Sequence, residues 1–185
     1  YAHCDVLVIG AGPAGLAAPR AGAHAGARVI VWDEKPAVGG ALLGSDASID
    51  DGPAGAWIAA TAADLAGRAN STLLPNTTAF GCYDGNLIGL CERVDAAAPI
   101  ASETLPRERL WKVCARAVVL CAGAHERSIA YANNDLPGTL LAGAARLYVE
   151  RYAVRPGSRA VVFTNNDSAY ASALALARAG LTVMA

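Results

Sequence analysis

The fold of this chain is decided by Val6-Leu7-Val8-Ile9-Gly10-Ala11-Gly12-Pro13-Ala14-Gly15, a stretch near its start. The apolar, β-branched run that ends at Gly10 is typical of a buried parallel strand. Gly10, Gly12 and Gly15 then give the G-x-G-x-x-G spacing at the turn into a helix. In such a turn the first glycine permits the tight bend, the second lets a pyrophosphate approach the backbone, and the third lets helix and strand pack closely. The spacing therefore predicts a dinucleotide-binding βα turn.

The residues that follow supply the rest of a βαβ unit. A helix is predicted over 13–24, and a second apolar strand, Arg28–Trp32, ends in Asp33. A carboxylate at this distance from the last glycine accepts hydrogen bonds from the ribose hydroxyls of a dinucleotide and repels the 2′-phosphate of NADP. We therefore expect NAD to bind in preference to NADP. The competing interpretation is a glycine-rich turn that binds nothing, and the complete βαβ context argues against it.

The composition is that of a globular chain and excludes several classes of partner. Of the 185 residues, 54% are hydrophobic and 17% are charged, and the net charge is −1. No basic block occurs in the sequence, so we expect no binding to nucleic acid or to an anionic membrane surface. The longest uncharged apolar run, residues 117–124, is too short to cross a bilayer.

The cysteines indicate a reducing compartment. The sequence contains five, Cys4, Cys82, Cys91, Cys114 and Cys121, and no two of them form a C-x-x-C pair. This scatter argues against a zinc site and against a redox-active dithiol. With no secretory leader visible in residues 1–9, we expect reduced thiols in a cytoplasmic protein, and we expect no metal.

Strand and turn signals further along the chain predict a β-meander. Asp84-Gly85 is a strong hairpin signal between the predicted strands 77–83 and 86–91, and residues 109–113 supply a third strand. Another buried strand is predicted over 117–124. The predicted fold class is therefore α/β: a three-layer ββα, Rossmann-like dinucleotide-binding domain with a parallel sheet and a three-stranded meander, plus the start of a second βαβ unit.

Three divisions of the chain are expected: a dinucleotide-binding domain over 1–126, a crossover and connecting helix over 127–158, and the start of a degenerate, truncated Rossmann unit over 159–185. Besides the first helix, helices are predicted over 57–69, 139–152 and 168–179, and a soft alanine-rich connection is predicted over 96–103. Because the last predicted strand ends with the chain, we expect a longer polypeptide.

The second unit departs from the glycine pattern of the first. Thr164–Ala169 stand where a second glycine turn is expected. Asn166 replaces the glycine that admits a pyrophosphate, and Asp167 brings negative charge toward the place of the phosphates. We therefore expect no dinucleotide at this turn.

Several motifs taken together resemble a known family. The order of glycine turn, acid, Gly-Gly pair, meander and Ala-Gly strand end is similar to that of flavoproteins with two dinucleotide domains, of the glutathione reductase type. The more specific stretches are DEKPAVGG, LLPNTTAFGCYDGN, ERLWKV, CAGAHER, YANNDLPG and VVFTNNDSAY. With GAGPAGLAA, they resemble the α subunit of heterotetrameric sarcosine oxidase over nearly the whole chain. This resemblance implies that the domain binds NAD, and that FAD and FMN belong to the subunit interface and to a partner β subunit.

The resemblance also assigns cofactor contacts. Gly12 and Ala14 correspond to the pyrophosphate turn, Asp33, Glu34 and Lys35 to the ribose, and Ala41, Ala79 and Phe80 to the adenosine half. Together with the residues that shape the turn and the strand end, the candidate cofactor-binding residues are Gly10, Gly12, Pro13, Ala14, Gly15, Asp33, Glu34, Lys35, Gly40, Ala41, Ala79, Phe80, Ala122 and Gly123.

No catalytic constellation emerges from the sequence. His125-Glu126-Arg127 is interpreted as a solvated crossover in which the Glu and the Arg pair with each other, because no second catalytic group stands beside it. The chain is thus expected to bind a dinucleotide without chemistry of its own. Two alternatives stay open: the FAD-binding domain of a pyridine-nucleotide-type oxidoreductase that lacks a dithiol, and a non-catalytic interaction subunit.

Overall fold

The computed structural model describes residues 1–94 and 106–184. The strands are β1 (Ala2–Ile9), β2 (Val29–Trp32), β3 (Ser48–Ile49), β4 (Gly52–Pro53), β5 (Ser71–Leu74), β6 (Thr77–Tyr83), β7 (Leu87–Arg93), β8 (Glu108–Leu120), β9 (Arg159–Val161) and β10 (Thr182–Met184). The α-helices are α1 (Pro13–His24), α2 (Ala54–Ala66), α3 (Ala142–Tyr152) and α4 (Ser168–Arg178), and short 3₁₀ turns occur at Gly40–Leu42 and Asp84–Asn86. These elements fall into two compact units, residues 1–123 and 124–185.

The long strands of the first unit form one sheet in the order β5-β2-β1-β8-β7-β6. β5, β2, β1 and the carboxyl-terminal half of β8 run parallel, which brings their carboxyl ends to one edge. β6, β7 and the amino-terminal half of β8 form an antiparallel meander, with the predicted Asp84-Gly85 hairpin between β6 and β7. The predicted α/β class is confirmed.

The strand β8 belongs to both parts of this sheet. Its residues 108–114 pair with β7, and its residues 113–120 pair with β1. The prediction of two separate strands over 109–113 and 117–124 is therefore wrong. Arg116 interrupts the apolar run in the sequence, but its side chain is exposed and lies near Asp5, so the strand continues through it.

Two apolar cores on opposite faces of the parallel strands produce the three layers. On one face Val8 and Val31 pack with Leu16 of α1, and all three are fully buried. On the other face Leu7 packs with Leu90 of the meander, also without exposure. The alternation of strand side chains between faces places successive residues of β1 in different cores.

The observed helix boundaries agree with the prediction where the sequence carries a local signal and differ where it carries none. The predicted helix over 13–24 is confirmed as α1, with Pro19 buried inside it. α2 begins at Ala54 rather than at 57, because the small residues of its first turn carry no apolar pattern. α3 begins at Ala142 rather than at 139, after a turn at Pro137 and Gly138. The connection predicted over 96–103 lies outside the described residues.

Charged side chains tie neighbouring elements of the first unit together. Asp64 of α2 accepts two hydrogen bonds from Arg68 and lies 3.0 Å from Nε2 of His24 at the end of α1. The bonds from Arg68 and then that of His24 lower the pKa of Asp64 to about 2. Asp5 of β1 is bound in the same way by the side chain and the backbone N–H of Arg28, which lower its pKa to about 2.

The second unit is a smaller α/β arrangement. β9 and β10 pair in parallel, with α4 as the connection between them, which gives the expected second βαβ unit. Ala145 of α3, Leu176 of α4 and Leu181 form its buried core. Domain boundaries at 126 and 158 stay a prediction. No described helix has the length and apolar character needed to span a membrane.

Candidate dinucleotide-binding site

Gly10 makes the bend at which β1 ends. Its φ is +94°, which side chains rarely adopt, and a Cβ there would lie 2.5 Å from the carbonyl oxygen of Cys121. Its N–H donates to the carbonyl oxygen of Trp32 at the end of β2, at 2.9 Å. The turn is therefore held between the carboxyl ends of β2 and β8, the strands on either side of β1.

Gly15 lets α1 lie directly on this bend. A Cβ on Gly15 would lie 1.7 Å from the carbonyl oxygen of Gly10, a distance that no packing tolerates. The first and third glycines of the motif are thus required by the protein itself, whatever ligand is bound.

The amino terminus of α1 is free of protein partners that an anion would have to displace. Gly12 is the N-cap and carries no side-chain cap, and the first turn contains no acidic residue. Leu16 N–H bonds to the carbonyl oxygen of Gly12, and Pro13 has no N–H, so Ala14 and Gly15 hold the helix N–H groups without an intrahelical partner. Such groups, together with the helix dipole, bind phosphate.

Gly12 is the one glycine of the motif that the protein does not require. Its φ of −73° and ψ of −170° suit any residue, and a Cβ there would come no nearer than 4.0 Å, to Gly40 Cα. Gly40, by contrast, has a φ of +55°, and a Cβ there would lie 2.9 Å from Gly12 Cα. Neither residue places a side chain beside the N–H groups of Ala14 and Gly15, which is the arrangement that the approach of a pyrophosphate requires.

Asp33 stands at the end of β2 as predicted, and its carboxylate contacts the turn. Its Oδ2 accepts a hydrogen bond from the N–H of Ala11 at 2.7 Å, and its Oδ1 accepts one from the N–H of Lys35 at 2.9 Å. Glu34 and Lys35 have exposed side chains beside it. Asp33, which the sequence spacing assigns to the ribose, is therefore hydrogen-bonded to the turn between β1 and α1.

The Gly-Gly loop closes over the same turn. Gly39 is buried, has a φ of +121° and donates its N–H to the carbonyl oxygen of Ala11 at 2.8 Å. The sequence predicted that the Gly39-Gly40 pair lets the backbone pass beneath a cofactor, but only Gly40 was counted among the candidate contacts, and Ala11 was missed. The Gly-Gly pair was the available signal for Gly39, whereas nothing in the sequence marks the buried Ala11. Ala41 follows in the exposed 3₁₀ turn.

The remaining candidates are divided between the edge of the sheet and the meander. Ala122 and Gly123 follow β8 and are exposed, and the Cα of Ala122 would lie 3.2 Å from a Cβ on Gly10. Ala79 packs against the core, but the Phe80 ring covers Gly89 on β7 and is 57% exposed. The register shifts between Ala79 and Gly81, so Phe80 has no partner residue in the β6–β7 pairing. The adenosine contact expected at Ala79 and Phe80 stays a prediction.

The second turn is built from side chains where the first has none. Asn166 Oδ1 accepts hydrogen bonds from the N–H and the hydroxyl of Ser168, which begins α4. Asp167, the N-cap of α4, adds a carboxylate at the same helix terminus. The N–H of Ser168, which an anion at this terminus would need, is therefore already bonded to the Asn166 side chain.

The His125-Glu126-Arg127 segment has a structural role that the sequence did not reveal. The predicted pairing of Glu126 with Arg127 is wrong, because Glu126 Oε2 accepts a hydrogen bond from the N–H of Gly143 at 2.8 Å. Gly143 lies in the first turn of α3, where a carboxylate is favourable. The described residues contain no group of three His, Cys, Asp or Glu side chains suited to a metal ion.

Comparisons with known proteins identify the family of this chain. The chain matches the family FAD dependent oxidoreductase over residues 5–135. It is 46% identical to the sarcosine oxidase α subunit of Rhizobium meliloti (strain 1021) over all of its residues, and 48% identical to that of Corynebacterium sp. (strain P-1) over 97% of them. These matches cover 19% of each relative, so the chain spans about one fifth of their length. The resemblance to sarcosine oxidase α subunits is confirmed over that part.

More distant proteins share the fold. An opine oxidase subunit from Agrobacterium tumefaciens (strain Ach5) is 31% identical, over 96% of this chain and 35% of that protein. Among solved structures, the L-proline dehydrogenase from P. horikoshii superimposes with a TM-score of 0.74 at 23% identity, over 98% of this chain and 34% of that one. The turn, the acid and the family match lead to one conclusion: the chain belongs to the FAD dependent oxidoreductase family.

Proposed function

We propose that this chain binds the ADP half of a dinucleotide at the turn between β1 and α1, as the nucleotide-binding segment of an α-type subunit of a sarcosine oxidase. The observation that carries the proposal is the space beside Gly12 and Gly40, next to the unpartnered helix N–H groups of Ala14 and Gly15. No neighbouring protein atom requires glycine at position 12, which supports a role in binding a ligand.

Each part of the site has one task in this proposal. The N–H groups of Ala14 and Gly15 hold the phosphates, with the α1 dipole adding to their charge. The Asp33 carboxylate accepts hydrogen bonds from the ribose hydroxyls. Backbone groups at Ala79 and Phe80, and the loop at Ala41, lie toward the adenosine half. A flavin of the assembled oxidase would supply the two-electron oxidation of the amine, and the residues named for this site would serve only to hold the nucleotide.

NAD is the first candidate ligand, because the sarcosine oxidase resemblance implies it. FAD is the second, and the family match over residues 5–135 favours it. The two molecules present the same ADP half to the turn, so the turn itself accepts both. Absorbance of the purified chain distinguishes them: bound FAD gives a yellow protein, and bound NAD gives no band above about 300 nm.

Calorimetric titration tests the site. We expect the chain to bind one nucleotide, to bind NAD more tightly than NADP because Asp33 repels a 2′-phosphate, and to lose affinity in Asp33→Ala. NADP binding as tight as NAD binding would contradict the assigned role of Asp33. Absence of binding by NAD, FAD and ADP alike would contradict the proposed function itself.

Oxidation of the amine is assigned to the assembled enzyme with its β subunit. The purified chain, supplied with sarcosine, NAD and FAD, is expected to produce no peroxide and to reduce no dye. Turnover that persists after removal of every trace of partner subunit would show that the reaction has been assigned to the wrong subunit.

A further inference from the structure

Ala11 is the buried residue on which the first turn depends. It has no solvent exposure and lies between Gly10 and Gly12. Its carbonyl oxygen accepts the N–H of Gly39, and its N–H donates to Asp33 Oδ2 at 2.7 Å. Both polar groups of this residue are therefore bound from outside the turn, and one of the two partners is a charged side chain. A short bond to a carboxylate is stronger than a bond between neutral groups.

Asp33 is itself held firmly by the sheet. Its N–H donates to the carbonyl oxygen of Leu74 at the end of β5, and its carbonyl oxygen accepts the N–H of Thr77 at the start of β6. The carboxylate is also bound by the N–H of Lys35. Its backbone thus bridges two further strands of the first unit, and its side chain extends from that frame to the turn.

The bonds to Ala11 and Lys35 leave room for a ligand on the same carboxylate. Each oxygen of an ionised carboxylate accepts about two hydrogen bonds, and each oxygen of Asp33 receives one from the backbone. One acceptor position therefore stays available on each oxygen for a ribose hydroxyl. Holding the turn and binding the ribose do not compete for the same lone pairs.

We infer that Asp33 is a positioning residue for the pyrophosphate turn: through the N–H of Ala11 it fixes the turn before any nucleotide arrives, in addition to accepting the ribose hydroxyls. The inference deepens the proposed function and rests on it for the ligand measurements below. Its structural part, the protection of Ala11 by Asp33, does not depend on any ligand.

Amide hydrogen exchange of the ligand-free chain tests the structural part. In Asp33→Ala we expect the N–H of Ala11 to exchange about tenfold faster than in the wild type, because its side-chain acceptor is removed. Asp84→Ala, which removes an exposed carboxylate at the tip of the β6–β7 hairpin, is the matched control and should leave Ala11 unchanged. Equal exchange rates in the wild type and Asp33→Ala would overturn the inference, whatever the ligand data show.

Two nucleotides separate positioning from ribose binding. ADP carries the ribose hydroxyls, and 2′,3′-dideoxy-ADP lacks them while keeping the phosphates. If Asp33 positions the turn, Asp33→Ala weakens binding of both by about tenfold or more. If dideoxy-ADP binds the wild type and Asp33→Ala equally, Asp33 acts through the hydroxyls alone and the inference is wrong. Failure of both nucleotides to bind the wild type would contradict the proposed function, and the exchange measurement would still decide the inference.

Asp33→Asn gives a second, milder variant in case Asp33→Ala does not fold. The asparagine carbonyl can still accept the N–H of Ala11, whereas its NH₂ group can accept neither a hydroxyl proton nor the N–H of Lys35, so the bond to Lys35 is lost. We expect protection of Ala11 and affinity for dideoxy-ADP close to those of the wild type, with a several-fold loss of affinity for ADP. Fast exchange of Ala11 in Asp33→Asn together with unchanged binding of dideoxy-ADP would show that the turn needs no acceptor at this position, and would refute the inference.

Discussion

The two βα turns of this chain, Gly10–Gly15 and Thr164–Ala169, solve the same structural problem in different ways. Both lead from a parallel strand into a helix with unpaired N–H groups at its start. In the first turn these groups face a space without side chains, beside Gly12 and Gly40. In the second turn Asn166 occupies the helix terminus and binds Ser168. The first turn leaves the N–H groups of Ala14 and Gly15 without a side-chain acceptor, whereas the second turn provides one for the N–H of Ser168.

The difference shows which glycines serve the fold and which serves binding. At the third position of the motif the first turn has Gly15, on which a Cβ would meet backbone at 1.7 Å, and the second turn has Ala169, which is buried at 3% exposure. In the second unit the helix therefore packs with a Cβ at this third position. Glycine at the third position is therefore required by the geometry of the first turn and not by βα turns in general.

The largest effect is expected from exchanging residues at this third position. Gly15→Ala should lower the free energy of unfolding by about 3 kcal/mol or more, because its Cβ cannot avoid the Gly10 carbonyl without moving the backbone. The reverse change in the second turn, Ala169→Gly, should cost only about 1 kcal/mol, through the added freedom of the unfolded chain. Denaturant unfolding of both variants makes the comparison. Similar costs in the two turns would contradict it.

A loss of binding without loss of fold is expected at the second position. Gly12→Val meets no steric clash but replaces the N-cap glycine of α1 by a residue that caps poorly, so the free energy of unfolding should fall by no more than about 1 kcal/mol. Its affinity for ADP should fall about 100-fold or more, which corresponds to about 2.7 kcal/mol, because the side chain fills the place of the pyrophosphate. Gly55→Val, at an open position of α2, is the control and should bind normally. Normal binding by Gly12→Val would disprove the assignment of the phosphates to this turn.

A smaller effect is expected when the side chain is removed from the second turn. Asn166→Ala deprives the Ser168 N–H of its acceptor and should destabilise the chain by about 1 kcal/mol, the usual net contribution of one hydrogen bond. The number of nucleotides bound per chain should stay at one, since Asp167 still opposes phosphate. A stoichiometry of two, in the wild type or in the variant, would show that the second turn also binds nucleotide.

Acid should weaken the contact between α1 and α2 in the unit that contains the first turn. The pKa of Asp64 is lowered to about 2 from its ordinary value of 3.8, mainly by its hydrogen bonds from Arg68. A lowered pKa means that this stabilisation is complete above about pH 4 and is lost as the pH falls through about 2. Asp64→Asn should reduce the change in unfolding midpoint between pH 4 and pH 2. The pair is exposed, so the effect should be modest and weaker at high salt. If Asp64→Asn leaves the change in unfolding midpoint between pH 4 and pH 2 unaltered, Asp64 does not contribute to the acid sensitivity.

Much of the first βαβ unit could be predicted because its signals are local. The glycine spacing, the apolar runs and Asp33 lie within one short stretch, and α1 has the predicted bounds. The hairpin at Asp84-Gly85 was equally readable, because turn residues determine it. The continuity of β8 could not be predicted, because Arg116 interrupts the apolar pattern in the sequence. In the fold its side chain is exposed near Asp5 of the neighbouring β1, so the strand continues through it.

The contacts of the site were less predictable than its location. The hydrogen bonds from Ala11 to Asp33 and from Gly39 to Ala11 join residues 22 and 28 positions apart, and alanine carries no signal of its own. Glu126 was misread for a related reason: its partner is a backbone N–H of a helix that begins much later in the chain. Sequence patterns locate elements, but they do not show which backbone groups need a partner once the elements have packed.

The shared strand β8 has a consequence for the order in which the site is completed. The bend at Gly10 rests against Cys121, so the glycine motif and the strand end that it contacts are more than 100 residues apart in the chain, and the motif is synthesised first. Pairing of β1 with residues 113–120 closes a loop of more than 100 residues, a slow and entropically costly step. We therefore expect nascent chains that end before β8 to capture no nucleotide despite carrying the whole motif. Nucleotide capture by ribosome-bound chains of increasing length would measure when the site becomes competent.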